Sequence, residues 1–513
     1  MWKKENKYLI PGIILLVWMG VFCFLNGNCQ SFWADEMASV GFVRTGVSLK
    51  EMLETYLYAE NNLPLYPALL YGVYRIAPYG EQFLLIPSIL FCLSGIVFMA
   101  MAAAKLKGKR AGFLALCMGV SSSAVIGQGA WEVRCYGMAF SLSALVLYLY
   151  IKRHLENTSV LFGGGLAVFL WTHWFACVLT ALYFAVDFIL ALMGKISWKR
   201  LLSYVPGIVL FLPWFAISFY NRQAEFQSFW GEVPQWKNMF WTILFYLGGN
   251  RVLWYLCLVT GIGIIICALC QIRKPYSEKK VKNLLSAICV LATGWVIAVI
   301  FFYSRYVNPG GSLYIERYFM VIAPHILLIT ALGIDYLLDI PDRVREADIF
   351  RRFSALQKAG IWIVRSGIVV LLVWTFLKCY RDEYIIIRKP FQPFREASEY
   401  LVEEKGIWDE DSLFIGSNRY CMLDGFIDYY FEKRGYEPPF NTIDGMVHTE
   451  QESRFYDNYK EITEQELLSY NRIYCLKIHM GIADELEQFL QENYDKVKEK
   501  EDNGIEIWEK KSR

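Results

Sequence analysis

Uninterrupted apolar runs, each about as long as the hydrocarbon core of a bilayer is thick, constrain this chain more than any other feature. A core of about 30 Å takes roughly 20 helical residues to cross. Runs of that kind lie at about 9–25, 83–104, 111–127, 136–151, 201–220, 252–271, 284–303, 319–338 and 361–377. Val160 to Met193 is too long for one crossing, and Thr172-His173-Trp174 near its middle marks a turn, so it reads as two. The expected fold is a polytopic α-helical membrane protein with about 11 transmembrane helices. Composition agrees: 56% of the 513 residues are apolar and only 19% are charged, which excludes a water-soluble enzyme.

Charge divides the chain in two. Residues 1–380 hold 33 Lys and Arg against 19 Asp and Glu, while residues 381–513 hold 18 against 30. The overall net charge of +2 hides this asymmetry and gives no support for nucleic-acid binding, which needs a basic face. With Met1 in the cytoplasm, the inner segments hold 23 of the 33 basic residues of the first part, as cytoplasmic loops should. An odd number of spans then puts the acidic tail outside the cytoplasm, and several outer loops are long, so the working surface faces outward. The first run follows Lys3, Lys4 and Lys7 as a signal peptide would. Asn26 to Gln30 offers no small-residue cleavage site, so it is expected to remain as the first span.

The expected domains are 1–380, a membrane domain with outer-face loops, and 381–513, a small extracytoplasmic α/β domain. In the latter, Arg395–Glu404, Tyr420–Lys433 and Asp484–Asn493 have helical patterns. Ser412–Gly416, Arg472–Ile478 and Ile505–Trp508 read as strands. No glycine-rich nucleotide loop is present there. Leu49–Tyr58 and Trp236–Leu247 read as short helices, either lying in the membrane interface or packed as ordinary loop helices. The 13 cysteines mostly fall inside apolar runs, and the close pair Cys267 and Cys270 has no histidine nearby, so no metal site is expected.

Chemistry-bearing residues cluster in the outer loops. Asp35 and Glu36 follow the first span directly; carboxylates at a membrane boundary have pKa values open to tuning toward general-base work, although a solvated acidic pair is the plainer alternative. Glu132, Arg134 and Tyr136 lie in a loop of almost no other polar content, where a charge near hydrocarbon costs at least about 2.5 kcal/mol on the lenient insertion scale. A buried ion pair would also account for them. His173 stands alone at its turn, as a structural histidine often does. Arg305, and Glu316-Arg317-Tyr318, flank the turn Asn308-Pro309-Gly310-Gly311. A guanidinium fork suits a phosphate and tyrosine suits a sugar or lipid chain, while boundary anchoring is the alternative. A base, cations for a phosphate and access to lipid together suit transfer from a lipid-linked donor.

These motifs, in this order, resemble the GT-C superfamily of membrane glycosyltransferases, in particular glycosyltransferase family 39, which includes protein O-mannosyltransferases and the lipid A aminoarabinose transferase. Asp35-Glu36 follows the first span as in that family. Asn62-Leu63-Pro64-Leu65-Tyr66-Pro67 is similar to its Pro-Pro-Leu-Tyr-Tyr segment, with one proline fewer. Trp131-Glu132-Val133-Arg134-Cys135-Tyr136 is similar to its Gln-Glu-Ala-Arg-Met-Tyr signature, with Trp131 and Cys135 replacing commoner residues. Thr172-His173-Trp174 is like its Thr-His-Tyr, and Arg317-Tyr318 like the Arg-Tyr before a late span. The resemblance covers about residues 1–340.

It implies an inverting hexosyl or pentosyl transferase in a bacterial plasma membrane, taking a polyprenyl-phosphate-linked sugar donor and a cell-envelope glycan, lipid or protein acceptor. Asp35 would be the general base and Arg134, Arg305 or Arg317 would neutralise the departing phosphate. Glu36, Glu132, Tyr136, His173, Glu316 and Tyr318 would orient substrates. No cofactor is required, and a carboxylate-held divalent cation remains open. The competing reading is a lipid-linked sugar flippase or transporter, which should show internal repeats and ionisable groups at mid-bilayer depth.

Overall fold

The computed structural model describes residues 7–58, 62–156, 158–221, 231–271, 277–346, 354–389, 391–403, 412–416, 426–435, 442–444, 464–478, 484–500 and 504–511. The chain divides into two compact units. One comprises Met1–Asn26, Leu53–Ala68 and Leu85–Ile385; the other comprises Gly27–Met52, Leu69–Leu84 and Ile386–Arg513.

The first unit is helical. Among the described residues, eight helical segments are long and apolar enough to cross a membrane: Leu9–Asn26, Glu81–Lys107, Phe175–Leu192, Trp198–Tyr220, Arg251–Gln271, Glu278–Val307, Glu316–Asp339 and Trp362–Ile386. The other three expected crossings fall on helices that miss that standard. Lys109–Val120 has 12 residues and Ser159–Phe169 has 11. Tyr136–Glu156 has 21, but its tyrosines, serines and terminal basic residues dilute its apolar character.

Burial sorts these helices into central and peripheral. Glu316–Asp339 has 83% of its apolar window buried inside the protein, whereas Leu9–Asn26 has 22%. The latter turns Ile10, Ile14, Val17, Trp18, Val21 and Leu25 outward while burying Gly12, Met19 and Cys23. At about 25 cal/mol per Å² of exposed apolar surface, such a stripe belongs in hydrocarbon rather than water.

One buried carboxylate in the helical unit has all its near partners inside the fold. Asp187, fully buried within Phe175–Leu192, pairs with Arg153 Nη1 at 3.1 Å and lies 3.0 Å from His154 Nε2. It also accepts hydrogen bonds from the hydroxyls of Tyr150 (3.0 Å) and Tyr204 (2.7 Å). The cluster ties three helical segments together, each carboxylate oxygen meeting two partners.

The second unit holds a five-stranded mixed sheet. Its strands are β1 (Ser412–Gly416), β2 (Thr442–Asp444), β3 (Arg472–Leu476), β4 (Tyr494–Lys500) and β5 (Ile505–Lys510), in the order β2-β1-β3-β5-β4. β1 pairs in parallel with β2 and β3; β5 runs antiparallel to β3 and β4. Leu413, Ile415, Ile473, Cys475, Leu490, Tyr494 and Trp508 form its core. The helices Phe394–Glu403 and Asp484–Asn493 and the strands β1, β3 and β5 lie where their patterns place them, within a residue or two at the ends. β2 and β4 are additions to the expected set. The expected helix Tyr420–Lys433 is described only from Phe426, as a wide π turn over Phe426–Phe431 followed by a 3-10 turn over Glu432–Arg434; its first part lies outside the described residues. Helices are also present at Leu49–Tyr58 and Trp236–Tyr246.

Candidate active site

In the helical unit, the turn between Ala130 and Tyr136 carries Glu132 and Arg134, and close backbone packing shapes it. A Cβ on Gly137 would come within 2.6 Å of the Gly129 carbonyl oxygen and 3.0 Å of that of Ser88, so only glycine fits. The turn is pinned from two sides: Trp131 Nε1 donates to the Cys23 carbonyl (2.9 Å), and Ser88 Oγ donates to the Glu132 carbonyl (2.7 Å). Ser88 Oγ in turn lies 2.8 Å from the Tyr66 hydroxyl, which explains why the Pro64-Leu65-Tyr66 segment matters locally. Arg134 is thereby held buried and Glu132 half-buried.

Tyr136, at the first position of its helix, is fully buried, and its hydroxyl has no hydrogen-bond partner among the described residues. Its ring stacks on Tyr318 with centroids 6.0 Å apart and lies 6.2 Å from the His173 ring. His173 and Tyr318 are 5.2 Å apart. The Arg317 guanidinium sits over both phenol rings, at 5.9 Å from Tyr136 and 5.8 Å from Tyr318, a cation–π arrangement. Arg134, Tyr136, His173, Arg317 and Tyr318 thus come from three separate stretches to one place.

The protonation state of His173 follows from its surroundings. Burial, with the Arg134 charge second, holds its imidazole pKa at about 3, so it is neutral at neutral pH. The Phe175 N–H donates to Nδ1 at 3.2 Å, which leaves the ring proton on Nε2 as a donor. His173 therefore supplies a hydrogen bond rather than a charge. Phe175, which the sequence did not single out, packs edge-on against it at 5.1 Å.

Arg305 and Glu316 have other engagements. Arg305 Nη1 donates to the Pro234 carbonyl (2.7 Å), and its guanidinium lies over Tyr306. The Glu316 carbonyl accepts the Tyr246 hydroxyl (2.6 Å), anchoring the short helix Glu316–Ile322 that presents Arg317 and Tyr318.

Asp35 and Glu36 belong to the second unit, in the first turn of the helix Ala34–Gly41. Glu36 is buried, and its Oε2 accepts the Trp33 N–H at 3.2 Å, closing the helix start in the manner of a capping box. Asp35 is half-buried. The two neighbouring carboxylates thus differ: Glu36 is buried and fastens the turn, whereas Asp35 keeps partial exposure. In the same unit Glu81, 3% exposed, is bound by Arg395 (3.1 Å) and Lys433 (2.6 Å). Among the described residues no three or more His, Cys, Asp and Glu side chains gather as a metal site requires.

No family model matches the chain, and no curated protein matches it in sequence. Solved structures do share its fold. ArnT from Cupriavidus metallidurans in the apo state superposes with a TM-score of 0.60 at 13% identity, over 97% of each chain. The same protein bound to undecaprenyl phosphate superposes with a TM-score of 0.58 at 13% identity, over 98% of each. The chain shares the fold of these structures.

Proposed function

We propose that this chain is an inverting membrane glycosyltransferase that moves a sugar from a polyprenyl-phosphate donor to an acceptor hydroxyl on the extracytoplasmic face of a plasma membrane. The observation that carries it is the gathering of Arg134, Arg317, neutral His173, Tyr136 and Tyr318 in the helical unit of a GT-C fold. Two guanidiniums meet the charge of a phosphate monoester, His173 Nε2–H adds a neutral donor, and the stacked phenols suit a sugar face. The likeness to a protein solved with undecaprenyl phosphate supports the donor class.

In this scheme the acceptor oxygen bonds to the anomeric carbon as the bond from that carbon to the phosphate oxygen breaks. The acceptor proton passes to Asp35, and the electron pair leaves with the polyprenyl phosphate. Asp35 is the base because Glu36 is buried and committed to its own helix start. Stabilisation of developing phosphate charge by pre-placed cations needs no reorganisation at the moment of reaction. No cofactor is required. The domain carrying residues 381–513 is extracytoplasmic in this scheme, and the acceptor is a cell-envelope glycan, lipid or protein.

The test is incubation of the purified full chain in nanodiscs with a panel of radiolabelled polyprenyl-phosphate sugars, measuring released polyprenyl phosphate. Wild type releases it from one donor. Asp35→Asn loses about 10²- to 10⁴-fold in rate while still binding that donor, and Arg134→Ala weakens donor binding as well. Saturable donor binding by wild type with no release across the panel would replace the transferase with a lipid carrier.

A further inference from the structure

The chemistry above assigns no task to the segment that follows the last span. Within the second unit, that segment grips the turn on which Asp35 stands. Gln392 Oε1 accepts the Ala34 N–H at 2.8 Å, and the Gln392 carbonyl accepts the Ser31 hydroxyl at 2.8 Å. The Tyr430 hydroxyl accepts the Phe32 N–H at 3.0 Å. Gln30 Nε2 donates to the carbonyls of Ile386 (3.0 Å) and Lys389 (2.6 Å), and Arg395 Nη1 donates to Asn28 Oδ1 at 2.9 Å. Four of the six residues from Asn28 to Trp33, together with Ala34, are therefore held by groups more than 350 positions away in sequence.

Two features single out Gln392. The Ala34 N–H is among the first amides of the helix Ala34–Gly41, which have no partner inside the helix. The residue before it, Trp33, has a side chain with no acceptor atom, so the cap must come from elsewhere. Gln392 also has φ +50°, the left-handed region that residues with a Cβ seldom enter. In that conformation its side-chain amide and its own carbonyl address Ala34 and Ser31 at once.

We propose that Gln392 is a positioning residue for the transfer reaction: it caps the helix bearing Asp35 from the C-terminal segment and so fixes where the Asp35 carboxylate stands. This role rests on Asp35 being the base. It assigns the start of the C-terminal segment to the catalytic apparatus.

Three substitutions separate positioning from folding. Gln392→Met keeps size but removes the acceptor. Gln392→Glu keeps an acceptor for the Ala34 N–H while adding a negative charge to the helix bearing Asp35. Asp35→Asn is the reference. With the donor that wild type cleaves, Gln392→Met is expected to lower kcat about 10- to 100-fold with donor KM unchanged, since a misplacement near 1 Å is enough for that. Gln392→Glu restores most of kcat and moves the acid limb of the kcat profile to higher pH, because a like charge nearby disfavours ionised Asp35. Hydrogen exchange of the peptide spanning residues 31–36 accelerates in Gln392→Met and returns in Gln392→Glu. Unchanged kcat in Gln392→Met, or a Gln392→Glu variant as impaired as Gln392→Met with an unshifted profile, overturns the proposal. Should wild type cleave no donor, or Asp35→Asn keep full turnover, the function reading fails first and takes this role with it; the wild-type and Asp35→Asn lanes tell the two failures apart.

Discussion

Two of the buried clusters of charged and aromatic groups in the helical unit are built on different plans. Around Asp187 the donors outnumber the charge: Arg153, His154, Tyr150 and Tyr204 all converge on one carboxylate. Around Tyr136 there are two guanidiniums, a neutral imidazole and two stacked phenols, and one buried hydroxyl has no protein partner among the described residues. A carboxylate whose two oxygens are both met stabilises a fold; the cluster that gathers cations, a neutral donor and a hydroxyl with no hydrogen bond among the described residues is the one we assign to the donor.

The largest effect that would test this contrast is at Asp187. Asp187→Ala leaves Arg153 buried without its counter-charge, and breaking such a pair costs about 3–5 kcal/mol. The variant is expected to unfold at markedly lower temperature in a detergent melt, with weaker expression. Asp187→Asn, which keeps acceptor and shape, should recover part of the loss. A melting temperature within a degree or two of wild type for Asp187→Ala would show that the cluster is not the clamp its geometry implies.

An intermediate effect concerns pH. His173 is held near 3 in the folded protein against an ordinary value of 6.5, so the unfolded chain binds the proton more readily. Its contribution is fully present above about pH 6.5 and is lost as pH falls from there toward 3. The slope approaches about 1.4 kcal/mol per pH unit below pH 6, which gives a loss of roughly 2.3 kcal/mol between pH 6.5 and 4.5. Comparing the pH dependence of stability in wild type and His173→Gln isolates this residue, because all other groups cancel. Equal slopes would mean that His173 is charged or hydrated in the folded state.

How much of this was legible in the sequence depends on the range over which each interaction acts. Crossing helices announce themselves through local composition, and the loop motifs supplied Arg134, Tyr136, His173 and Arg317-Tyr318 as candidates that the fold brings together. β4 was hidden because Tyr494–Lys500 alternates lysine with acid and reads as a polar helix end; its strand state comes from pairing with β5. Asp187 gave only the weak signal of a single acid in a long apolar run. Arg305 looked equivalent to Arg317, and only the fold shows its bond to Pro234. Gln392 carried no local signal at all, since both its backbone conformation and its partner, Ala34, are set by tertiary contacts.

The smallest expected effect draws the contrast most finely, because it asks the same chemical change to do different things in the two clusters. Tyr204→Phe removes a hydroxyl that donates to the Asp187 carboxylate at 2.7 Å. Hydrogen bonds to charged groups contribute about 1.5–3 kcal/mol, so this variant should melt measurably lower with donor lipid absent or present. Tyr136→Phe removes a buried hydroxyl that has no hydrogen-bond partner among the described residues, so no intramolecular bond among them is lost and a desolvation cost is relieved. Its ligand-free melting temperature should equal or slightly exceed that of wild type. The cost should appear instead in donor affinity, as roughly a tenfold rise in Kd, the equivalent of about 1.4 kcal/mol, if the hydroxyl meets the bound sugar or phosphate. Melting curves and donor titrations of the two variants side by side decide it. A Tyr136→Phe protein that is destabilised without ligand yet binds donor normally would move Tyr136 from the visitor's side of the comparison to the scaffold's, and leave Arg134, Arg317 and His173 to carry the site.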